Sequence, residues 1–273
     1  MTASLLKVRE LSIAYRHRSV VHEVVSGVSF EAEPGRVLGI IGESGSGKSS
    51  LALARLGLHD LSQTTVTGEV LFRGEDLLRM DESSLCRVRG AGIGMIFQDP
   101  MGALDPTMKV EDQVAEAITI HRGLKLSQAR KEARRHLHQV GVTDEILAVA
   151  PYAHQLSGGL RQRAMIAAAL ACEPALLVAD EPTSSLDVRL QSQIIQLMKT
   201  RCTTAGLSII FISHDLALVG SFADEVLVLH KGQVVEKGSC DDVLLNPSHS
   251  YTAALISAAH FKRVPRKALV ANT

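Results

Sequence analysis

Tryptophan is absent from this 273-residue chain, and Phe and Tyr together bring aromatic residues to only 3%. Hydrophobic residues still make up 46%, enough for one large domain or two small ones. The core must therefore be aliphatic, as in α/β proteins whose parallel strands are buried on both faces. Net charge is missing as well, since 29 basic residues balance 29 acidic ones. That leaves no electrostatic footprint for nucleic acid. The four cysteines, Cys86, Cys172, Cys202 and Cys240, are scattered without metal-ligand spacing and read as reduced thiols of a cytosolic protein. No apolar run approaches the ~18 residues of a membrane span. The N-terminus, MTASLLKVRELSIAYRHRS, has charges inside its apolar portion and no signal-peptide core. The expectation is a chain soluble on its own, reaching a membrane only through a partner.

What is present falls into an ordered pattern. Residues 6–40 alternate apolar and polar between turn signals, which predicts several strands. A strand at 36–41, a helix from near Lys48, a hairpin over GEVLFRGEDL and a short buried strand in GIGMIF follow. From about 100 to 172, SQARKEARRHLHQVGV and LRQRAMIAAALACE are helical by length, composition and period, so this stretch reads as a helical insertion. PALLVADEP and LSIIFISHD are apolar strands on either side of the helix VRLQSQIIQLMKTRCTTAG, and this alternation predicts a parallel sheet. ADEVLVLHKGQVVEKG reads as a closing hairpin, and the basic tail at 258–273 as poorly ordered. His136 and His138 are two apart on a helix and face different ways, so they read as part of a solvated face rather than as metal ligands.

The stretch Gly42-Glu43-Ser44-Gly45-Ser46-Gly47-Lys48-Ser49-Ser50 concentrates glycine and serine directly after the apolar run Val37–Ile41. A solvated linker has such a composition too. This stretch is short, however, and apolar runs flank it on both sides, so a strand, a tight turn and a helix fit better. Residues 42–49 match G-x-x-x-x-G-K-[ST]. In that pattern, backbone N–H groups uncovered by side chains curl around phosphate oxygens at a helix N-terminus. Lys48 reaches the β- and γ-phosphates of ATP, and the Ser49 hydroxyl ligates Mg2+.

A strand ending in solvated acids is commonplace, yet the phosphate loop upstream gives Asp180 and Glu181 a stronger reading. Asp180 would stand at the carboxyl edge of the neighbouring strand and hold Mg2+, directly or through water. Glu181, one residue on, would polarise an attacking water as general base. His214 ends the next strand, where it is placed to donate to the γ-phosphate, although a lone His is usually structural. Gln98 ends GIGMIF and is placed to contact Mg2+ or the water. In LSGGLRQRAMIAAALA, Ser157 reads as a helix N-cap. The adjacent Gly158 and Gly159 make a second anion site, which one chain does not need for one ATP. It fits the γ-phosphate of a nucleotide held by a partner chain.

With these residues in order, the sequence resembles the ATP-binding cassette (ABC) ATPases over about residues 6–257. The marks are Tyr15, GESGSGKSS, Gln98, LSGGL, the strand ending Asp180-Glu181, SSLD at 184–187 and His214. Each is modest alone; together and in this order they are specific. LSGGL departs from the commoner LSGGQ only at Leu160.

The resemblance implies a P-loop NTPase of the ABC ATPase fold. Its RecA-like parallel sheet core would carry an N-terminal antiparallel β subdomain and a helical subdomain insertion. It also implies that Tyr15 stacks on adenine and that the loop ending at Asp187 crosses between subunits. Two ATPs would be sandwiched in a head-to-tail pair, each between the phosphate loop of one chain and LSGG of the other. The implied partners are a second ABC ATPase subunit (a heterodimer, or a homodimer), two integral membrane permease subunits and a periplasmic solute-binding protein, with no nucleic acid. The chain would then lie peripherally on the cytoplasmic face of the inner membrane.

FQDPMGALDP, HQLSGGLRQRAMIAAAL and NPSHSYTAALISA look like the oligopeptide, dipeptide and nickel importer branch. Many peptide-importing members carry a cysteine cluster after the YTAALISA-like segment, and this chain has none, which favours nickel over peptide cargo. The rivals are an ABC ATPase acting on DNA or ribosomes, a regulatory module that binds without turnover, and an exporter. The neutral charge argues against the first, Glu181 against the second, and the lack of fused membrane helices against the third.

Overall fold

The computed structural model describes residues 4–18, 20–54, 56–58 and 63–259. The expected basic tail lies outside the described residues from position 260 onward. In chain order the elements begin β1 (Leu6–His17), β2 (Val20–Ala32), β3 (Val37–Ile41), α1 (Lys48–Ala54), β4 (Thr64–Phe72), β5 (Glu75–Asp76), α2 (Glu82–Val88) and β6 (Ile93–Ile96). Then come α3 (Pro100–Ala103), α4 (Val110–Arg122), α5 (Leu126–Gln139), α6 (Asp144–Val149) and α7 (Gly158–Leu170). The chain continues through β7 (Leu176–Asp180), α8 (Val188–Ala205), β8 (Ser208–Ile212), α9 (Leu216–Phe222), β9 (Glu225–His230), β10 (Gln233–Ser239), α10 (Cys240–Leu245) and α11 (Ser250–Ala258). These elements form two compact units, one of residues 1–85 with 208–273 and the other of residues 86–207.

The first unit holds an antiparallel sheet in the order β2-β1-β4-β5. Its central strand β1 alternates as a half-buried strand must, with Leu6, Val8, Leu11 and Ile13 turned into the core. The alternation skips between Val8 and Leu11, where the register slips against β2 and Glu10 takes φ +45°. A bulge of this kind adds a residue without exposing the apolar face. In the same unit β3 runs parallel to β8 on one side and to β9 on the other, and β10 pairs antiparallel with β9. Every residue of β3 and β8 is buried. Near-continuous apolar runs rich in Val and Ile, such as VLGII and SIIFI, are the sequence mark of strands covered on both faces.

In the second unit β6 and β7 pair in parallel, from Ile93 opposite Leu176 to Ile96 opposite Ala179. Between these strands in sequence, the stretch read as a helical insertion is helical. Helix α4 buries Val110, Val114, Ala115 and Ile118 along one face, and α5 buries Ala129, Ala133, His136 and Leu137, each set recurring at the three- and four-residue steps of an amphipathic helix. Ion pairs at the rim of this pair join Arg130 to Asp112 at 2.7 Å and Arg134 to Glu111 at 2.9 Å. Helix α4 stops at Gly123, whose φ of +67° lets its N–H close on the Thr119 carbonyl.

One sequence reading is corrected here. His136 is not on a solvated face: it is only 2% exposed, among the core residues of α5. Its neighbour His138 is exposed and meets Asp144 at 3.2 Å. Among the described residues no cluster of His, Cys, Asp or Glu has the arrangement of a metal site, and no helix is long and apolar enough to cross a membrane.

Candidate functional site

In the first unit the chain leaves β3 at Ile41 and turns through residues 42–47 before entering α1. The turn has room only for glycine at two points. A Cβ on Gly42, at φ +155°, would fall 2.2 Å from the Leu229 carbonyl oxygen, and one on Gly47, at φ +102°, would fall 2.5 Å from the Val24 carbonyl oxygen. Lys48 opens α1 yet is buried, because its ammonium curls back into the loop. Its Nζ donates to the Gly42 carbonyl at 2.8 Å and to the Glu43 carbonyl at 2.7 Å. The cation is thus held at the centre of the turn, while Glu43, Ser44, Gly45 and Ser49 remain exposed. The turn between β9 and β10 supports the far limb, with the Gly232 N–H donating to the Ser46 carbonyl at 3.0 Å.

Two further expected residues share this unit. Tyr15 lies on β1, half-buried, and its hydroxyl hydrogen-bonds the Ser50 hydroxyl at 3.1 Å. His214 follows β8 and is exposed. Because Ile40 pairs with Ile212, Gly42 and His214 each stand two residues beyond that pair, at the carboxyl ends of adjacent parallel strands. Ligands of open α/β sheets gather at such edges.

The second unit carries the other expected residues. Ile96 pairs with Ala179, so Gln98 and Glu181 are each two residues past the pair, again at carboxyl ends. Asp180 is 4% exposed, and Gln98 is exposed. Glu181 takes φ +49°, an uncommon backbone conformation for a residue with a side chain. The turn after it is tied locally: Ser184 donates to the Glu181 carbonyl through both its N–H, at 3.3 Å, and its hydroxyl, at 3.1 Å. Asp187 then caps α8 by accepting from the Leu190 N–H at 3.0 Å.

Ser157 caps α7, accepting from the Leu160 N–H at 3.4 Å. The helix reading of this serine therefore holds. Ser157 and Gly158 are exposed, and a Cβ on Gly159 would meet the Ser185 carbonyl oxygen at 3.4 Å, so the start of α7 lies against the 184–187 loop. The body of α7 is fastened by its arginines. Arg161 donates to the Ala153 carbonyl at 2.7 Å, and Arg163 to those of Val140 and Gly141 at 3.2 and 3.0 Å. Burial lowers the Arg163 pKa.

The loop of 42–50, Tyr15 and His214 are thus grouped in one unit, and Gln98, Ser157–Gly159, Asp180, Glu181 and Asp187 in the other. The donor set of the first group suits a phosphate chain: a cation inside a turn built mainly of glycine and serine. The second group offers carboxylates at a strand edge, the oxygen ligands that a hard cation such as Mg2+ takes. Two residues that sequence reasoning missed belong with these groups. Gln162 on α7 contacts the residue after Glu181, and Tyr251 on α11 contacts Glu43. Neither had a local signal, since each acts across the fold.

The family described as ABC transporter matches residues 25–184 of this chain. The glutathione import ATP-binding protein GsiA of Salmonella typhimurium is 44% identical over 260 residues, spanning 93% of this chain and 42% of that protein. A putative peptide import ATP-binding protein of Brucella abortus is 43% identical over 257 residues, spanning 94% of this chain and 77% of that protein. The chain thus spans less than half the length of the first of these relatives and most of the second. Among solved structures, a dimeric post-hydrolysis ATP-binding cassette bound to ADP and Pi superposes with a TM-score of 0.79 at 26% identity, covering 86% of this chain and 98% of that one.

Proposed function

The chain belongs to the ABC transporter family, and from that premise we propose that it is the ATP-binding and ATP-hydrolysing subunit of an importer for peptide-type solutes. Relatives named for glutathione and peptide import support peptide rather than nickel as the cargo. The observation that carries the reading is Lys48 held inside the 42–49 turn by the Gly42 and Glu43 carbonyls. A buried ammonium exchanges such carbonyls for phosphate oxygens without leaving its pocket.

In this reading the backbone of Glu43–Gly47 and Lys48 bind the β- and γ-phosphates, Ser49 and Ser50 line the helix entrance, and Tyr15 receives the adenine. The Ser50 hydroxyl holds the Tyr15 ring at one edge, so stacking costs little side-chain entropy. By the sequence pattern, Ser49, Gln98 and Asp180 would each be a ligand for Mg2+, which would supply charge neutralisation of the transferred phosphoryl group. Glu181 would act as general base toward the attacking water, and His214 would donate to the γ-phosphate. Ser157 and Gly158, exposed at the start of α7, and Gly159 beside them face the nucleotide of a second ATPase subunit, with Asp187 in the loop that passes between the two. A solved relative described as dimeric supports this pairing. The remaining partners are two permease subunits in the inner membrane and, through them, a periplasmic binding protein.

The test is ATP turnover by the chain assembled with a second cassette and its permease. Disrupting Ser157 and Gly158 is expected to abolish turnover while leaving ATP binding by the isolated chain intact. Unchanged turnover would sink the shared-pocket reading. Cargo is decided by adding candidate peptides or nickel with the cognate binding protein and measuring which one stimulates hydrolysis.

A further inference from the structure

The phosphate loop is braced by a part of the chain about two hundred residues away. Helix α11 enters through Ser248 and His249, and β10 holds that entry with one carboxylate. Glu236 accepts from the Ser248 N–H at 2.7 Å, the Ser248 hydroxyl at 2.8 Å and the His249 N–H at 3.1 Å. His249 then caps the helix, its Nδ1 accepting from the Tyr251 N–H at 3.1 Å. With its backbone fixed in this way, Tyr251 lays its ring on that of His230 at the end of β9, the centroids 3.8 Å apart and the planes inclined by 34°. The phenol oxygen accepts from the Glu43 N–H at 3.1 Å.

Glu43 is the second residue of the phosphate loop, and its N–H has no partner within the loop's own turns among the hydrogen bonds described. The far limb is held from the same direction, because Gly232, two residues past His230, donates to the Ser46 carbonyl. Both limbs of the loop are therefore fastened to the β9–β10 region, one directly and one through Tyr251. Burial raises the Tyr251 pKa; the hydrogen bond it accepts from the Glu43 N–H lowers it, but the Glu43 carboxylate raises it again, and the net direction is upward. The phenol therefore stays neutral and keeps its own proton while it accepts from the backbone.

We propose that Tyr251 is a positioning residue for the phosphate loop: its hydroxyl fixes the Glu43 backbone and so orders the loop before nucleotide arrives. A glycine-rich loop left free must be ordered on binding, and that cost is subtracted from affinity. Tyr251 moves the cost into folding. The helix carrying it thereby sets how tightly the chain takes ATP, without itself touching the nucleotide. This inference rests on the reading of residues 42–49 as the nucleotide site.

Tyr251→Phe keeps the ring on His230 and removes only the hydroxyl. The full chain is titrated with MgATP, and its melting midpoint is measured without nucleotide. The expected result is an ATP affinity about three- to tenfold weaker, the range of one lost hydrogen bond, with a melting midpoint matching the parent chain. In turnover assays KM rises by a similar factor and kcat changes by less than twofold. An unchanged affinity overturns the proposal. So does a fall in affinity matched by a fall in the nucleotide-free midpoint, which would mark Tyr251 as ordinary packing. Should the parent chain itself fail to bind MgATP, or bind it equally after Lys48→Ala, the nucleotide-site reading fails instead.

Discussion

The side-chain amide of Gln162, on α7, donates to the carbonyl of Pro182 at 2.8 Å, in a position with no solvent exposure. Pro182 follows Glu181, whose backbone is held at φ +49°. On the other side of the same turn, Gln191 donates to the Thr183 hydroxyl at 3.0 Å. The turn carrying Glu181 is thus pinned between the helix that starts at Ser157 and the helix capped by Asp187. A strained backbone persists only where its surroundings over-determine it, and these two amides supply that constraint.

Gln162→Glu replaces the donor by an acceptor and places a carboxylate where no water reaches. Stability at pH 7 is expected to fall by about 3 kcal/mol, as for a buried Glu whose pKa is driven up. A protonated Glu regains a donor, so the deficit shrinks as pH falls toward 5. Urea unfolding at both pH values reads this, and an equal deficit at both would show that the Pro182 bond is not the cause.

Lys48→Ala removes the cation at the centre of the phosphate loop. ATP binding by the full chain is expected to weaken more than tenfold, with circular dichroism unchanged because the backbone bonds of the turn, Ser46 N–H to the Glu43 carbonyl and Leu51 N–H to the Gly47 carbonyl, do not involve the side chain. Retention of affinity would mean that phosphate is held elsewhere.

Glu181→Gln preserves shape and deletes the base. Turnover in the assembled transporter should drop by about 100-fold or more, the usual contribution of general base catalysis, while ATP still binds. If turnover survives the change, proton removal belongs to another group.

His136 gives the protein an acid weakness. Burial, then the nearby Arg135 and Arg201, lowers its pKa from 6.5 to about 4. The unfolded chain therefore takes up this proton first, and stability is full above pH 6.5 and declines as pH falls toward 4. The loss from this residue should reach about 3 kcal/mol near pH 4. His136→Leu is expected to flatten the decline, measured by urea midpoints at pH 7.5 and 5. A slope identical to the parent would exclude His136.

Glu236 works in the opposite part of the acid range. Burial alone would raise its carboxyl, but the hydrogen bonds donated around it, Ser248 and His249 among them, outweigh burial and hold it at about 2. Its contribution is present above the ordinary carboxylate pKa of about 4.5 and is lost as pH falls toward 2. Glu236→Gln should lower the melting midpoint at pH 7, and the difference from the parent should narrow below pH 4.5. A difference that stays constant with pH would rule out the charge.

The sequence by itself determined what a short window can hold. The turn at 42–49 is legible from its own glycines and Lys48, and the apolar runs of β3, β7 and β8 declare strands buried on both faces wherever they dock. The capping of α7 by Ser157 and of α8 by Asp187 is equally local, three residues from oxygen to N–H. The face taken by His136 was decided otherwise. Spacing separates it from His138 but does not say which of the two turns inward, because that depends on what packs against α5. Gln162 is 20 residues from Pro182, and Tyr251 is 208 from Glu43. No window spans those distances, and an amide or a phenol reads the same in sequence whether it meets water or a backbone. Only the closing of the chain, which brings α11 back onto the phosphate loop and α7 onto the turn after β7, gives those side chains their partners.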